Sequence, residues 1–287
     1  MTPFPFRRVW VTGAGGLIGS YVCAAAAACA PGAEVTGITR DVLDLSDAFA
    51  VARAFREQQP ELVIHCAAVS KPALCEEDPA LAQRINVEMT ARLAALAEQG
   101  ALIFFSTDVV FDGREGGYAE TAPTNPLSVY ARTKVAAEKT VLLNPRHTVV
   151  RTSLTGGRSP TGDRAFNEEM RRAWAAGRRL RLFADEYRNP LPAQVTARAV
   201  WALAEQRAAG LFHLAGAEKL SRWEIGQQVA ARCPELNPQL EPGSLREYAG
   251  PPRAPDTSLN CARIQALLPF PLPGLTEWLR AHPEEFF

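Results

Sequence analysis

Apolar positions in the first 152 residues fall into five short, near-continuous runs, separated by longer Ala-rich stretches with helical spacing. The runs are Arg8–Thr12, Glu34–Thr39, Leu62–Cys66, Ala101–Ser106 and His147–Thr152. Short β-branched and aromatic runs without polar alternation are the pattern of strands covered on both faces. Helices are predicted over Leu17–Ala30, stopped by Pro31 and Gly32, and over Ser46–Gln58, with Ser46 as N-cap and Pro60 beyond its end. Two more are predicted over Pro79–Gln99, ending at Gly100, and over Tyr130–Leu143. Strand and helix alternate, so the fold class is α/β: a Rossmann doubly wound parallel sheet with right-handed crossovers.

Beyond Gly156 and Gly157 the pattern loosens, and Arg, Pro and loop residues increase. Helices are predicted over Phe166–Ala176, Val195–Glu205, Arg222–Arg232, Ala262–Leu268 and Leu275–Arg280. Short strands are predicted over Arg179–Phe183 and Gly210–Leu214, and Pro234–Pro255 reads as loop. Two units are expected: residues 1–155 as the doubly wound domain and residues 156–287 as a smaller C-terminal α/β domain. They are partly interleaved, because the strand at 210–214 is placed to return to the first sheet.

Composition narrows the function classes. Lys plus Arg is 31 and Asp plus Glu is 31, so the formal net charge is zero. A nucleic-acid protein working through bulk basic charge is not expected. The six cysteines, Cys23, Cys29, Cys66, Cys75, Cys233 and Cys261, form no C-x-x-C pair. His65, His147, His213 and His282 are far apart, so neither a metal site nor a disulfide framework is expected. Met1–Arg8 has no signal-like apolar core, and the longest apolar stretch, Val22–Ala30, is too short for a membrane span. A cytoplasmic protein without a membrane partner is the expectation.

The first chemical motif is Gly13-Ala-Gly-Gly-Leu-Ile-Gly19, between a predicted strand and a predicted helix. Gly13 permits a tight turn, Gly16 lets backbone approach a pyrophosphate, and Gly19 lets helix and sheet pack closely. The amides around Leu17 and Ile18 then present unpaired N–H groups and the positive helix end to phosphates. Dinucleotide binding is the expected role. At the end of the second strand, where an acid would select NAD, stand Thr39 and Arg40. These suit a 2′-phosphate, so NADP(H) is preferred. If Arg40 is only a solvated charge and Asp41 supplies the acid, NAD(H) remains open. Asp44 and Leu45 resemble an adenine-contacting pair. Cys66, Ala67 and Ala68 end the third strand with small side chains that suit close passage of a cofactor, or simply packing.

Tyr130 and Lys134 stand four apart, on one face of a predicted helix. A nearby ammonium is expected to lower the Tyr pKa, letting the phenol give a proton to a carbonyl oxygen as hydride arrives. Ser106 and Thr107 close the fourth strand at the sheet end where such folds bind ligands, and the Thr107 hydroxyl can hold the same carbonyl oxygen.

With these motifs the chain resembles the extended short-chain dehydrogenase/reductase superfamily, and within it the dTDP-4-dehydrorhamnose reductase-like, sugar-nucleotide-binding family. The resemblance runs through Phe105–Gly113, Tyr118–Thr121, Asn125–Tyr130, Arg151–Ser153, Phe183–Glu186, Gly210–Gly216 and Ser221–Glu224. It implies Thr107, Tyr130 and Lys134 as the catalytic triad, with Gly13, Gly16, Gly19, Asp44, Ala67 and Asn86 as cofactor or site-support positions. It also implies a Rossmann domain for NADP, a C-terminal domain closing over a nucleotide-sugar, and reduction of the sugar's 4-keto group. Family reductases can form homodimers, so a homodimer is left open.

Departures fall in the substrate pocket. Val109 stands where the family reductases usually carry an aromatic residue, and Leu154 where they often carry Trp. Both are therefore candidate substrate contacts. Pro72–Glu76 replaces a V-D-x-A-E stretch. The absence of Glu after Asp108 argues against a 4,6-dehydratase. Arg188 and Asn189 are candidate substrate contacts or structural loop residues. Arg171, Arg172, Arg178, Arg179 and Arg181 form a solvated face or an anion contact. Two alternatives share the scaffold: a nucleotide-sugar epimerase, and an NADP-binding regulatory protein. The latter would resemble the methionine adenosyltransferase β subunit, which His65–Ala68 and Pro251–Cys261 also resemble.

Overall fold

The computed structural model describes residues 3–285 and 287. Met1 and Thr2, in the N-terminal stretch read above, and Phe286, in the second expected unit, lie outside the described residues. The first half runs β1 (Arg8–Thr12), α1 (Leu17–Cys29), β2 (Glu34–Ile38), α2 (Ala48–Gln58), β3 (Leu62–His65), α3 (Pro72–Glu77) and α4 (Pro79–Ala82). A π-helical segment (Gln83–Glu88) leads into α5 (Met89–Leu96), then β4 (Ala101–Thr107), α6 (Val129–Val141) and β5 (Thr148–Thr152). The second half adds β6 (Thr155–Gly156), α7 (Phe166–Ala175), β7 (Leu180–Phe183), β8 (Tyr187–Arg188), β9 (Leu191–Pro192) and α8 (Ala193–Glu205). It ends with β10 (Gly210–Leu214), β11 (Leu220–Ser221), α9 (Arg222–Ala231), β12 (Leu240–Gly243), α10 (Ala262–Gln265) and α11 (Leu275–Ala281).

Six parallel strands form the central sheet in the order β2-β1-β3-β4-β5-β10. Successive side chains alternate between faces, and both faces are buried. Val9, Val11, Ile64, Ile103, Phe105 and Val150 join α1 and α8 in one core. Trp10, Val63, Leu102, Phe104 and Val149 join α2, α5 and α6 in the other. Helix α8 lies against α1, with the Trp201 indole donating to the Val22 carbonyl at 2.9 Å. The strand order reverses direction at β1 and β3, and the crevice at a reversal of this kind, beyond the carboxyl ends of the strands, is where open α/β sheets take their ligands.

Three local expectations are corrected. Helix α2 starts at Ala48, and Asp47 is its cap: the carboxylate accepts from the amides of Phe49 and Ala50. Ser46 instead donates to Asp44. The single helix expected over 79–99 is interrupted by the π-helical turn, which carries Asn86 at 1% exposure. The stretch expected as loop over 234–255 contains β12, parallel to β7. Its Pro242 has no N–H, which an edge strand in a two-stranded ladder tolerates.

Candidate active site

The glycine loop joins β1 to α1. Gly13 has φ +70°, and a Cβ there would lie 2.7 Å from the Ala67 amide nitrogen, so the loop presses against the end of β3. A Cβ on Gly19 would overlap the Gly13 carbonyl oxygen. No side chain caps α1 and its first turn has no acid, so its leading amides face neither a competing acceptor nor a repelling charge. Thr12, before the loop, is held at 2.6 Å by His65 Nδ1, whose Nε2 meets Thr90 at 3.0 Å. Burial and the Lys134 charge push the His65 pKa down to about 3, so the ring is neutral. Thr39 is half-buried and Arg40 exposed at the end of β2, with Asp44 exposed and Leu45 half-buried beyond them. Cys66, Ala67 and Ala68 are half-buried after β3. The loop geometry and the free helix end fit a dinucleotide.

Thr107, 9% exposed, ends β4 beside the phenol of Tyr130, with which it hydrogen-bonds. Helix α6, capped by Ser128, carries Tyr130 and, one turn on, Lys134. Between them Thr133 accepts from Asn86 Nδ2 at 3.0 Å, and Asn86 also bonds both backbone groups of Val69. The π-helical turn thus draws Asn86 in to brace α6. The Lys134 ammonium lies 3.9 Å from the centre of the Phe104 ring. Burial lowers its pKa to about 7, against the pull of Glu138 and Cys66. The expectation that Lys134 lowers the Tyr130 pKa meets a stronger opposing balance. Burial, then Asp108 and Cys75, push the phenol up, and Thr107 pulls it down.

A buried polar cluster lies a turn below Lys134. Glu138 receives Arg151 through Nε at 3.0 Å and Nη2 at 2.7 Å, and also accepts from Ser106. Arg151 reaches His213 on β10 at 3.4 Å. Glu138 was missed in the sequence, although Tyr130, Lys134 and Glu138 repeat every four residues on one helix face. Asp108 pairs with Arg188 at 3.6 Å and Glu186 with Arg253 at 2.8 Å, contacts that chain spacing does not reveal.

The candidate substrate contacts divide. Val109 and Leu154 are half-buried near the ends of β4 and β5. Arg188 and Asn189 are each 5% exposed. Arg188 pairs with Glu186 at 2.9 Å and Asp108 at 3.6 Å and donates to two carbonyls; Asn189 accepts from the Leu259 amide. These internal partners occupy both side chains inside the protein, favouring the structural loop role. In the basic cluster, Arg171, Arg179 and Arg181 pair with Glu235, Glu241 and Glu247 at the surface. A cavity of about 550 Å³ lined by Phe6, Leu62, Ala101 and Leu203 lies at the opposite end of the strands from the triad. Among the described residues no helix is long and apolar enough to cross a membrane.

The family model described as RmlD substrate binding domain matches residues 7–286. A dTDP-4-dehydrorhamnose reductase of Mycobacterium tuberculosis is 35% identical over 266 residues, covering 88% of this chain and 85% of that protein. A methionine adenosyltransferase 2 subunit beta of Danio rerio is 30% identical over 276 residues, covering 92% of this chain and 85% of that protein. The crystal structure of a dTDP-4-dehydrorhamnose reductase from Bacillus anthracis in complex with NADP aligns with TM-score 0.86 and 23% identity, covering 96% of this chain and 98% of that chain. With nearly its whole length matched and both of these curated relatives covered over most of theirs, the chain belongs to the RmlD substrate-binding-domain family.

Proposed function

We propose that the protein is an NADPH-dependent reductase of the 4-keto group of a nucleotide-activated deoxysugar, with dTDP-4-dehydrorhamnose as the substrate to test first. The observation that carries this reading is the convergence of Thr107, Tyr130 and Lys134 beside the glycine loop, at the carboxyl ends of the central strands. The 35% identity to the mycobacterial reductase and the NADP-bound B. anthracis fold support it.

Gly13, Gly16, Leu17, Ile18 and Gly19 hold the pyrophosphate, Thr39 and Arg40 the 2′-phosphate, and Asp44 and Leu45 the adenosine. Bound NADPH supplies the hydride. Cys66, Ala67 and Ala68 leave room for it beside β3. Thr107 fixes the carbonyl oxygen, and Tyr130 gives that oxygen a proton. Lys134 stabilises the phenolate left behind and holds the ribose. A phenol kept protonated by burial and a neighbouring carboxylate suits a group that starts each turnover as an acid. Val109 and Leu154 shape the sugar pocket. Residues 1–155 carry cofactor and chemistry, and residues 156–287 mainly carry the substrate. The reading includes a cytoplasmic enzyme, and light scattering distinguishes a monomer from a homodimer.

The test is NADPH oxidation with dTDP-4-dehydrorhamnose, in the parent chain and in Tyr130→Phe. Turnover is expected in the parent and abolished in the variant, with NADPH binding retained. Near-parental turnover in Tyr130→Phe refutes the mechanism. The 30% identity to the methionine adenosyltransferase β subunit supports a second, regulatory reading. A stoichiometric partner on purification, with no NADPH oxidation across keto-sugars, would favour it. Retained cofactor without net oxidation during turnover would point to an epimerase.

A further inference from the structure

Asp108 follows Thr107 at the end of β4 and is 4% exposed. Four side chains converge on its carboxylate. Thr107 donates to Oδ1 at 3.2 Å, Ser153 and Thr257 donate to Oδ2 at 2.8 and 2.9 Å, and Arg188 Nε lies 3.6 Å from Oδ2. Thr107 ends the central strand β4 and Ser153 follows β5. Arg188 and Thr257 come from the C-terminal half, where the backbone of Tyr187 bridges to Asp256. Both oxygens are taken up by protein groups, so Asp108 is not presented to substrate as an acid of its own.

We propose that Asp108 is the positioning residue of this site, a buried carboxylate that fixes the Thr107 hydroxyl and ties it to the substrate-side segments carrying Arg188 and Thr257. This rests on the reading of Tyr130 as proton donor. The groups facing Tyr130 are Asp108 and Thr107 from the end of β4 and Cys75 from α3, with Lys134 next along its own helix. Arg188 is the cation that faces Asp108 in turn. After burial, the charge of Asp108 is the foremost influence holding the phenol in its protonated form. Asp108 thereby acts on both hydroxyls: it holds that of Thr107, whose single proton must leave Oδ1 when it turns to the carbonyl oxygen, and it keeps that of Tyr130 protonated.

Asp108→Asn separates these roles from simple packing. It keeps the size and one accepting oxygen, for Thr107 or for Ser153 and Thr257, with the NH2 group facing the other side, while Arg188 retains Glu186. The measurement is tyrosinate absorbance against pH, with Tyr130→Phe spectra in the same background subtracted to isolate Tyr130, with and without NADP⁺. No sugar is needed, so the result is independent of whether dTDP-4-dehydrorhamnose is turned over. The expected result is a Tyr130 that ionises at least tenfold more readily in Asp108→Asn than in the parent. The paired Asp108→Asn/Arg188→Gln variant removes both charges and carries the same expectation where the single variant does not fold. An unchanged Tyr130 titration in a folded variant, or loss of folding in both, assigns Asp108 to the fold alone and overturns the proposal. A shifted titration in a chain that reduces no keto-sugar leaves this proposal standing and sinks the reductase reading.

Discussion

Replacing Arg151 by Met tests the energetics beneath the catalytic helix. The guanidinium forks onto Glu138 at 3.0 and 2.7 Å, and the two side chains are 5% and 3% exposed. At an effective dielectric constant of about 20 the gross attraction at this separation is about 6 kcal/mol. Much of it is offset by taking both ions out of water, so the pair is worth far less than that as net stability. Breaking one side is different. Glu138 would keep Ser106 as its hydrogen-bond partner and Lys134 as its remaining counter-charge, so the cost is expected toward the lower end of the about 3–5 kcal/mol of an uncompensated buried charge. Against a typical total of about 5–15 kcal/mol, that shift is readily seen in urea denaturation followed by tryptophan fluorescence. Replacing both residues, Glu138→Leu with Arg151→Met, removes both charges and leaves only weaker losses at Ser106 and His213. The double variant is therefore expected to be more stable than Arg151→Met alone. A single-variant cost below about 1 kcal/mol, or costs that simply add in the double variant, would show that the pair is not electrostatically isolated from water.

Four further outcomes are expected. Because Glu138 holds the Lys134 pKa up against burial, Glu138→Leu should lower it from about 7 and move the alkaline limb of the pH–rate profile toward acid; an unmoved limb removes the link. Gly19→Ala places a methyl against the Gly13 carbonyl, so a packing cost of about 1–3 kcal/mol and NADPH binding weakened about tenfold or more are expected by calorimetry. Arg40→Ala should weaken NADPH but not NADH by about tenfold; equal effects on both would mean that Arg40 does not read the 2′-phosphate. Glu168 accepts from the amides of Ser159, Arg164 and Ala165 and from the Ser159 hydroxyl, and despite burial these hold its pKa below the usual value. Its stabilisation is present above an unfolded pKa of about 4.3 and fades as pH falls through the folded one. Glu168→Gln should thus lower the Tm at pH 7 and converge with the parent in acid.

The inner strands β1, β3, β4 and β5 are legible because both their faces are buried, so each reads as a short apolar run, whereas the edge strand β2 carries exposed Glu34 and half-buried Val35 to Gly37. Gly210–Leu214 was legible for the same reason, although it is distant in sequence from the strand it joins. The glycine loop and the Tyr130–Lys134 spacing were readable because each is a local pattern with a local cause. What was not readable depends on partners distant in sequence. The π-helical turn at Asn86 follows from bonds to Val69 and Thr133. The fate of Arg188 follows from Glu186 and Asp108, and an arginine in a sequence does not show whether its charge is already claimed. The opposing pushes on Tyr130 arise from burial and from Asp108, neither of which helical spacing reveals.

The position of β10 has a consequence for synthesis. The sheet is completed by Gly210–Leu214, and one of its faces is covered in part by α8. A growing chain that has emerged only as far as Thr152 has all the triad residues, yet Val9, Val11, Ile103, Phe105 and Val150 still lack α8, and β5 is an open edge. Chains of this size expose apolar surface and strand edges while incomplete. The nascent chain therefore holds Thr107, Tyr130 and Lys134, the proposed catalytic residues, before it can hold their scaffold, and the sheet closes only when residues from beyond the middle of the chain return to it.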